Sequence, residues 1–369
     1  MRVDFVITGL FVGGAERCLT ELALGLAQRG DDVRVFSLAS LPTGVQSLLV
    51  DRLKAANVPV ESGDSNHFLR TPRAYSRLKS WLKESPADVC QTFMFHANVL
   101  GALAAKSAGI KVRVGGLRVA EPRPVRCRIE KFAVKRMNSL VCVSNEVKRF
   151  AQEYLACDCT KSLVIPNSVD VQRFKNSKVF DWQILGWPRD AVVSVFVGRL
   201  HPQKGIELLQ SQIDSLAPAN SNRKLLLVGG GPLRSDLQAW ADGIGEQRVQ
   251  LLPWQKDVAP IISASRLLVL PSHYEGMPNV VLEAMAAGKP VVCSRVEGSQ
   301  ELLSHAIDQQ SFTPGDAEAM KKLAETFLSD EQFSGEIGAK NQTRAESDFS
   351  IDSMVDAYRD HYQSAVISY

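Results

Sequence analysis

Short apolar runs alternate along this chain with longer stretches whose apolar positions recur every three or four residues. Val3 to Thr8, Val33 to Leu38, Val58 to Glu61, Asp88 to Thr92, Val112 to Gly115, Ser139 to Val143 and Ser162 to Ile165 read as strands in the first half. Val192 to Val197, Leu225 to Val228, Val249 to Leu252, Leu267 to Leu270 and Val291 to Cys293 read as strands in the second. Runs this short and this apolar predict strands buried on both faces, as in a parallel sheet. Between them lie helical patterns, such as Leu19, Leu22, Ala23 and Leu26 closed by Gly30, and the stretches Ala97 to Ala108 and Arg126 to Arg136. After Leu303 the pattern turns helical, through Ala317 to Leu328 and on to Ala345. The tail from Ile351 to Val366 carries Met354, Val355, Tyr358 and Tyr362 on one face. Repeated βα alternation predicts doubly wound sheets, with ligands at the carboxyl ends of the strands.

The loops at those ends hold the candidate chemistry. The first is Gly-rich, GLFVGGAE, but matches neither GxGxxG nor a phosphate loop ending in GKS/T. GRLHPQKG follows the strand at 192–197 and places Arg199 and Lys204 within reach of one diphosphate, the first as a fork and the second as a point charge. In the stretch from Arg266 to Leu303, Pro271 and Ser272 stop a strand, Glu275 and Gly276 form a loop, and a helix begins with Pro278 in its first turn and ends before Gly288. The N–H groups of that first turn, Met277 to Val280, suit a phosphate. Glu275 and Glu283 flank the same helix start, so both carboxylates can address one ligand. A carboxylate at Glu283 among Val280, Val281, Leu282, Ala284 and Met285 needs a polar partner.

At 369 residues the chain exceeds one ordinary core, and two domains are expected. A formal charge of +3 gives no argument for nucleic acid. The seven cysteines are odd in number and mostly sit in apolar runs, which reads as buried thiols in a reducing compartment. Met1-Arg2 leads straight into a strand, so no secretory leader is expected, and no apolar run approaches the ~20 residues of a membrane span. The expected location is cytoplasmic, with the inner membrane face open as a peripheral site. Basic residues crowd 111–136, and Arg128, Lys131 and Lys135 share a helical face. Such a face suits anionic lipid, a solvated surface or an anionic acceptor equally.

EGMPNVVLE followed by AMAAGKPVV resembles the signature of the retaining glycosyltransferases of family 4, with the GT-B fold. GG-x-E at Gly13-Gly14-Ala15-Glu16, the Arg and Lys of GRLHPQKG, GGGP at 229–232 and PNSVD at 166–170 are similar to other motifs of that family, although Ser168 stands where the family usually has Gly. The resemblance implies two Rossmann-like domains facing across a cleft. The first, 1–170, would bind the acceptor, with a helix at 350–369 crossing back to it. A linker at 171–190 would lead to a nucleotide-sugar domain at 191–349.

The resemblance further implies that Glu275 faces the donor sugar and that Arg199 and Lys204 neutralise the leaving diphosphate. Glu283 would hold the ribose, and amides around Gly276, Met277, Pro278, Asn279 and Val280 the diphosphate. Gly13, Gly14, Gly198 and Gly230 would admit the donor closely. Pro253 and Trp254 would read the base, although a Trp in this position suits packing as well as stacking. The donor would be a UDP or GDP sugar, no cofactor or metal ion would be needed, and the acceptor would be a glycan or lipid-linked hydroxyl. Family members often carry a His after the strand at 112–115; here Arg118 or Glu121 takes that region, with His96 the other candidate for a sugar or acceptor contact. A nucleotide-sugar epimerase and a catalytically silent nucleotide-sugar binder remain as alternatives.

Overall fold

The computed structural model describes residues 1–65 and 71–368. Tyr369, the last residue of the expected C-terminal helix, lies outside the described residues. The chain divides into two compact units. Met1–Ser168 with Ile351–Tyr369 forms the first, and Val169–Ser350 the second.

The first unit is built on seven strands: β1 (Arg2–Ile7), β2 (Asp32–Ser37), β3 (Val60–Ser62), β4 (Val89–Phe93), β5 (Val112–Leu117), β6 (Ser139–Cys142) and β7 (Ser162–Val164). Their order is β3-β2-β1-β4-β5-β6-β7, and every pairing is parallel. The chain winds outward from β1 to β3, then returns to the other side of β1 with β4. That reversal is the switch point, where loops leaving adjacent strands diverge and open a crevice. The loop after β1 leads into a helix, Gly14–Gln28, and the turn after β4 into another, Phe95–Ala108. The C-terminal helix, Ile351–Ser368, completes this core by burying Met354, Val355, Tyr358 and Tyr362. Tyr362 Oη donates to Gln91 Oε1 at 2.9 Å, and Arg359 pairs with Asp31 at 2.9 Å.

The second unit carries β8 (Val192–Val197), β9 (Arg223–Val228), β10 (Val249–Leu252), β11 (Leu267–Leu270), β12 (Val291–Ser294) and β13 (Ser311–Phe312). The order is β10-β9-β8-β11-β12-β13, again wholly parallel, with the switch point between β8 and β11. The two residues of β13 are too few to show a strand period, which is why the sequence there reads as helix.

The span 171–190, expected to be a linker, is folded into this unit. Asp170 caps a short helix, Val171–Lys175, by accepting from Arg173 N at 3.1 Å. Phe174, Trp182 and Trp187 are buried, and Trp187 Nε1 donates to Glu246 O at 2.7 Å. Three large apolar residues spaced without a helical or strand period gave no pattern to read, yet they anchor the segment.

Candidate active site

In the second unit the loops after β8 and β11 lie side by side at the switch point. Gly205 (φ 63°) sits where any Cβ would run into the carbonyl oxygen of Pro271, so the two backbones are in direct contact. His273 N donates to Gln203 O at 2.8 Å, and Gln203 Nε2 donates to Tyr274 O at 2.9 Å. The first loop makes a tight turn, Pro202–Lys204, which His201 caps by accepting from Gln203 N at 3.2 Å.

This stapling brings Lys204 and Glu275 together as an ion pair between two largely buried side chains. Ser272 Oγ donates to the same Glu275 oxygen at 2.7 Å, and Glu275 N donates to Glu297 Oε2 at 3.2 Å. Behind them, burial first and the charge of Glu275 second push the Cys293 thiol up to about 12. Cys293 therefore stays protonated and offers no competing nucleophile.

Gly276, Met277 and Pro278 are buried and lead into the helix Asn279–Ala286. Pro278 supplies no side-chain cap to it. Glu283 is buried about one turn along, among Val281, Leu282, Ala284 and Met285. Arg199 is exposed on the loop after β8, and among the described residues it forms no ion pair.

On the other side of β8, Gly229 (φ 152°) packs against the Gly198 carbonyl too closely for a Cβ, and Leu200 N donates to Gly230 O at 2.9 Å. Arg234, which motif reading passed over, donates to Gly229 O at 3.0 Å and Leu252 O at 3.3 Å, tying this loop to the end of β10. Pro253 is exposed and Trp254 half-buried just beyond. Ser272, Gln203 and Glu297 were also missed. Ser272 alone left a signal, a hydroxyl three residues before Glu275 at a strand end.

In the first unit, Gly13 is the N-cap of the helix Gly14–Gln28 in ordinary extended conformation. A Cβ on Gly13 would instead collide with the carboxylate of Glu16, which folds back over the helix start. Burial pushes Glu16 up to about 7 against its own backbone N–H and the charge of Arg118. Arg118 donates to Asn167 Oδ1 and lies 5.6 Å from the centre of the Phe93 ring. Asn167 of the PNSVD turn thus serves Arg118.

Glu121 takes another direction and pairs with Arg126. Arg126 stacks on Phe95 at 4.6 Å, and Phe95 meets His96 edge-on at 5.1 Å. Burial, and then the charge of Arg126, push the His96 imidazole below its usual range. The structure groups His96 and Glu121 around Arg126, while Arg118 is engaged elsewhere.

Two parallel-sheet Rossmann-like units, each with its loops gathered at a switch point, define the class of GT-B glycosyltransferases. Residues 12–173 match the family described as Glycosyltransferase Family 4, and residues 191–330 that described as Glycosyl transferases group 1. The chain belongs to this glycosyltransferase family and is an enzyme of that class. It is 28% identical over 336 residues to the Escherichia coli UDP-Gal:alpha-D-GlcNAc-diphosphoundecaprenol alpha-1,3-galactosyltransferase, covering 87% of this chain and 86% of that protein. It is 25% identical to the phosphatidyl-myo-inositol mannosyltransferase of Mycolicibacterium smegmatis, covering 95% and 91%. Among solved structures, Anabaena HepE in complex with UDP-glucose superposes with a TM-score of 0.83 at 24% identity, over 99% of this chain and 100% of that one. Among the described residues no helix is long and apolar enough to cross a membrane.

Proposed function

We propose that this enzyme moves a hexose from a UDP sugar to a hydroxyl of a lipid-linked glycan, with retention at the anomeric carbon and without a metal ion. The observation that carries the reading is the Lys204–Glu275 pair, held by two stapled loops at a switch point beside the start of the helix Asn279–Ala286. Retaining transfer needs positive charge beside the departing diphosphate, which takes the electron pair of the broken bond, and negative charge beside the sugar as its ring gains oxocarbenium character. Lys204 and Arg199 supply the first, together with the backbone N–H groups of Gly276, Met277, Asn279 and Val280. Glu275 supplies the second. In the free enzyme the ammonium and the carboxylate hold one another in place, and the donor separates their duties, with phosphate taking Lys204 and the sugar taking Glu275. Glu283 takes the ribose hydroxyls, and Pro253 and Trp254 read the base. Gly13 and Gly14 stay assigned to close backbone approach by the donor phosphates or the acceptor.

The choice of UDP rests on the E. coli relative, whose name gives UDP-Gal as donor, and on HepE, solved with UDP and with UDP-glucose. The choice of a lipid-linked acceptor rests on the same relative and on one surface. The helix Pro124–Val134 exposes Val125, Ile129 and Phe132 at i, i+4 and i+7, flanked by Arg123, Arg128, Lys131, Lys135 and Arg136. Apolar side chains set among cations suit an anionic bilayer. Sedimentation with phosphatidylglycerol vesicles should capture the protein, and replacing Ile129 and Phe132 by Ser should release it.

The decisive test offers UDP and GDP sugars with a synthetic GlcNAc-diphospholipid in excess EDTA and weighs the products. The expected result is free UDP and an acceptor heavier by one hexose in the α configuration. Activity lost to EDTA and restored by Mg²⁺ overturns metal independence. An isomerised donor identifies an epimerase, and binding with no nucleotide release identifies a silent sensor.

A further inference from the structure

The turn after β4 is strained. Met94 has φ 73° and ψ 164°, a conformation that a residue with a Cβ rarely adopts. The surrounding contacts fix it there. Met94 N donates to Gly116 O at 3.3 Å, and Asn98 N donates to Met94 O at 2.8 Å. The buried Asn98 amide then ties the turn to β5, since its Oδ1 accepts from Thr92 Oγ1 at 2.6 Å and its Nδ2 donates to Gly116 O at 3.0 Å. The same Nδ2 reaches Glu130 Oε1 at 3.4 Å. Glu130, 1% exposed, is a carboxylate with no part in the chemistry proposed above. Its other oxygen faces Arg126 Nε at 3.8 Å, and Arg126 in turn grips Glu121. A continuous polar chain therefore runs from the strained backbone, through Asn98, Glu130 and Arg126, to a carboxylate at the rim.

The rim has a definite chemistry. The guanidinium of Arg126 is satisfied by two carboxylates and by one face of Phe95, and Arg123 lies 3.7 Å from Glu121. The charge of Arg126 is thus already matched by carboxylates. An exposed imidazole set against an aromatic ring, with Arg126 over that ring holding the Glu121 carboxylate, fits the apolar face and the hydroxyl hydrogens of a sugar ring.

We infer that Phe95, His96 and Glu121 form a subsite for one neutral pyranose ring of the acceptor, and that Glu130, acting through Arg126, is the positioning residue that holds Glu121 in it. The strain at Met94 sets the angle at which Phe95 and His96 leave the sheet. This rests on the reading that the first unit takes the acceptor.

The test uses octyl α-D-N-acetylglucosaminide as the sugar probe, followed by saturation-transfer NMR, with UDP affinity measured by calorimetry on the same samples. Wild type should show saturation of the ring protons. Glu130→Gln and Arg126→Lys should weaken glycoside binding about tenfold, the usual scale for losing a charged hydrogen-bond partner, with UDP affinity unchanged. Absence of saturation in wild type, unchanged glycoside affinity in Glu130→Gln and Arg126→Lys, or a parallel loss of UDP affinity overturns the inference. A wild type that binds UDP but no glycoside leaves the donor reading standing. One that binds glycoside but no UDP removes the donor reading and leaves the subsite.

Discussion

The two units share one architecture and differ in how they build the carboxyl edge of the sheet. In the second unit the edge is made largely of backbone. Gly205 lies against Pro271, Gly229 lies against Gly198, and the loops are fastened by main-chain donors and acceptors. In the first unit the edge is made of side-chain pairs: Arg118 on Asn167 and Asn98 on Glu130 from distant parts of the chain, and Glu121 on Arg126 nearby. Backbone contacts of the first kind tolerate only particular residues, because a Cβ in the wrong place collides. Side-chain pairs can be exchanged for other pairs without disturbing the sheet. The difference suits one edge that handles a constant group, such as a diphosphate, and another that must fit a variable one.

If that division of labour holds, the largest losses should come from the second unit's edge. Glu275→Gln should lower kcat by roughly a hundredfold or more, because a preorganised charge counts most when the sugar becomes positive. Steady-state constants at saturating acceptor check this, and a wild-type kcat would remove Glu275 from the reacting sugar. Gly205→Ala comes next. The φ of 63° and the Pro271 carbonyl both oppose a Cβ, so the loops must part. We expect Tm to fall by several degrees and kcat/KM to fall with it, as thermal melts and initial rates will show. Retained activity would mean that the staple is dispensable.

Glu283→Gln should be milder. Its proposed ribose contact is the same in ground and transition states, so the donor KM should rise by about tenfold with kcat little changed. A fall in kcat instead would put Glu283 closer to the chemistry. The smallest effect belongs to the first unit. Glu16 binds its proton more tightly folded than unfolded, so its contribution to stability is full below the ordinary carboxyl range and is lost as pH rises through about 7. Glu16→Gln should flatten that decline and melt a few degrees above wild type at pH 8. Parallel melting curves for the two proteins across pH 5 to 9 would exclude it.

The same contrast explains what could be read from the sequence. The strands were visible because doubly buried strands are apolar throughout, as in Leu267–Leu270, or nearly so, as in Val192–Val197. Gly205 and Gly229 were visible because backbone contact forces residue type and spacing within short motifs, and Lys204 and Glu275 because they stand in the same motifs. The pairing of Glu121 with Arg126 was not, since five residues of loop and helix start carry no rule about direction. The unusual backbone of Met94 was hidden as well, because nothing in the residue itself marks a left-handed φ. Nor did the buried Trp182 and Trp187 announce that the segment around them folds onto the second unit.

The return of the C-terminal helix has a consequence for the order in which the protein can be made. The second unit is one uninterrupted stretch, Val169–Ser350, whereas the first is split in sequence. Until residues 351–368 leave the ribosome, the helix Gly14–Gln28 lacks the surface formed by Met354, Val355, Tyr358 and Tyr362. Multidomain chains commonly fold from the N-terminus onward as they are synthesised. Here the stretch 169–350 is synthesised whole before the first unit has the helix Ile351–Ser368 to cover that face.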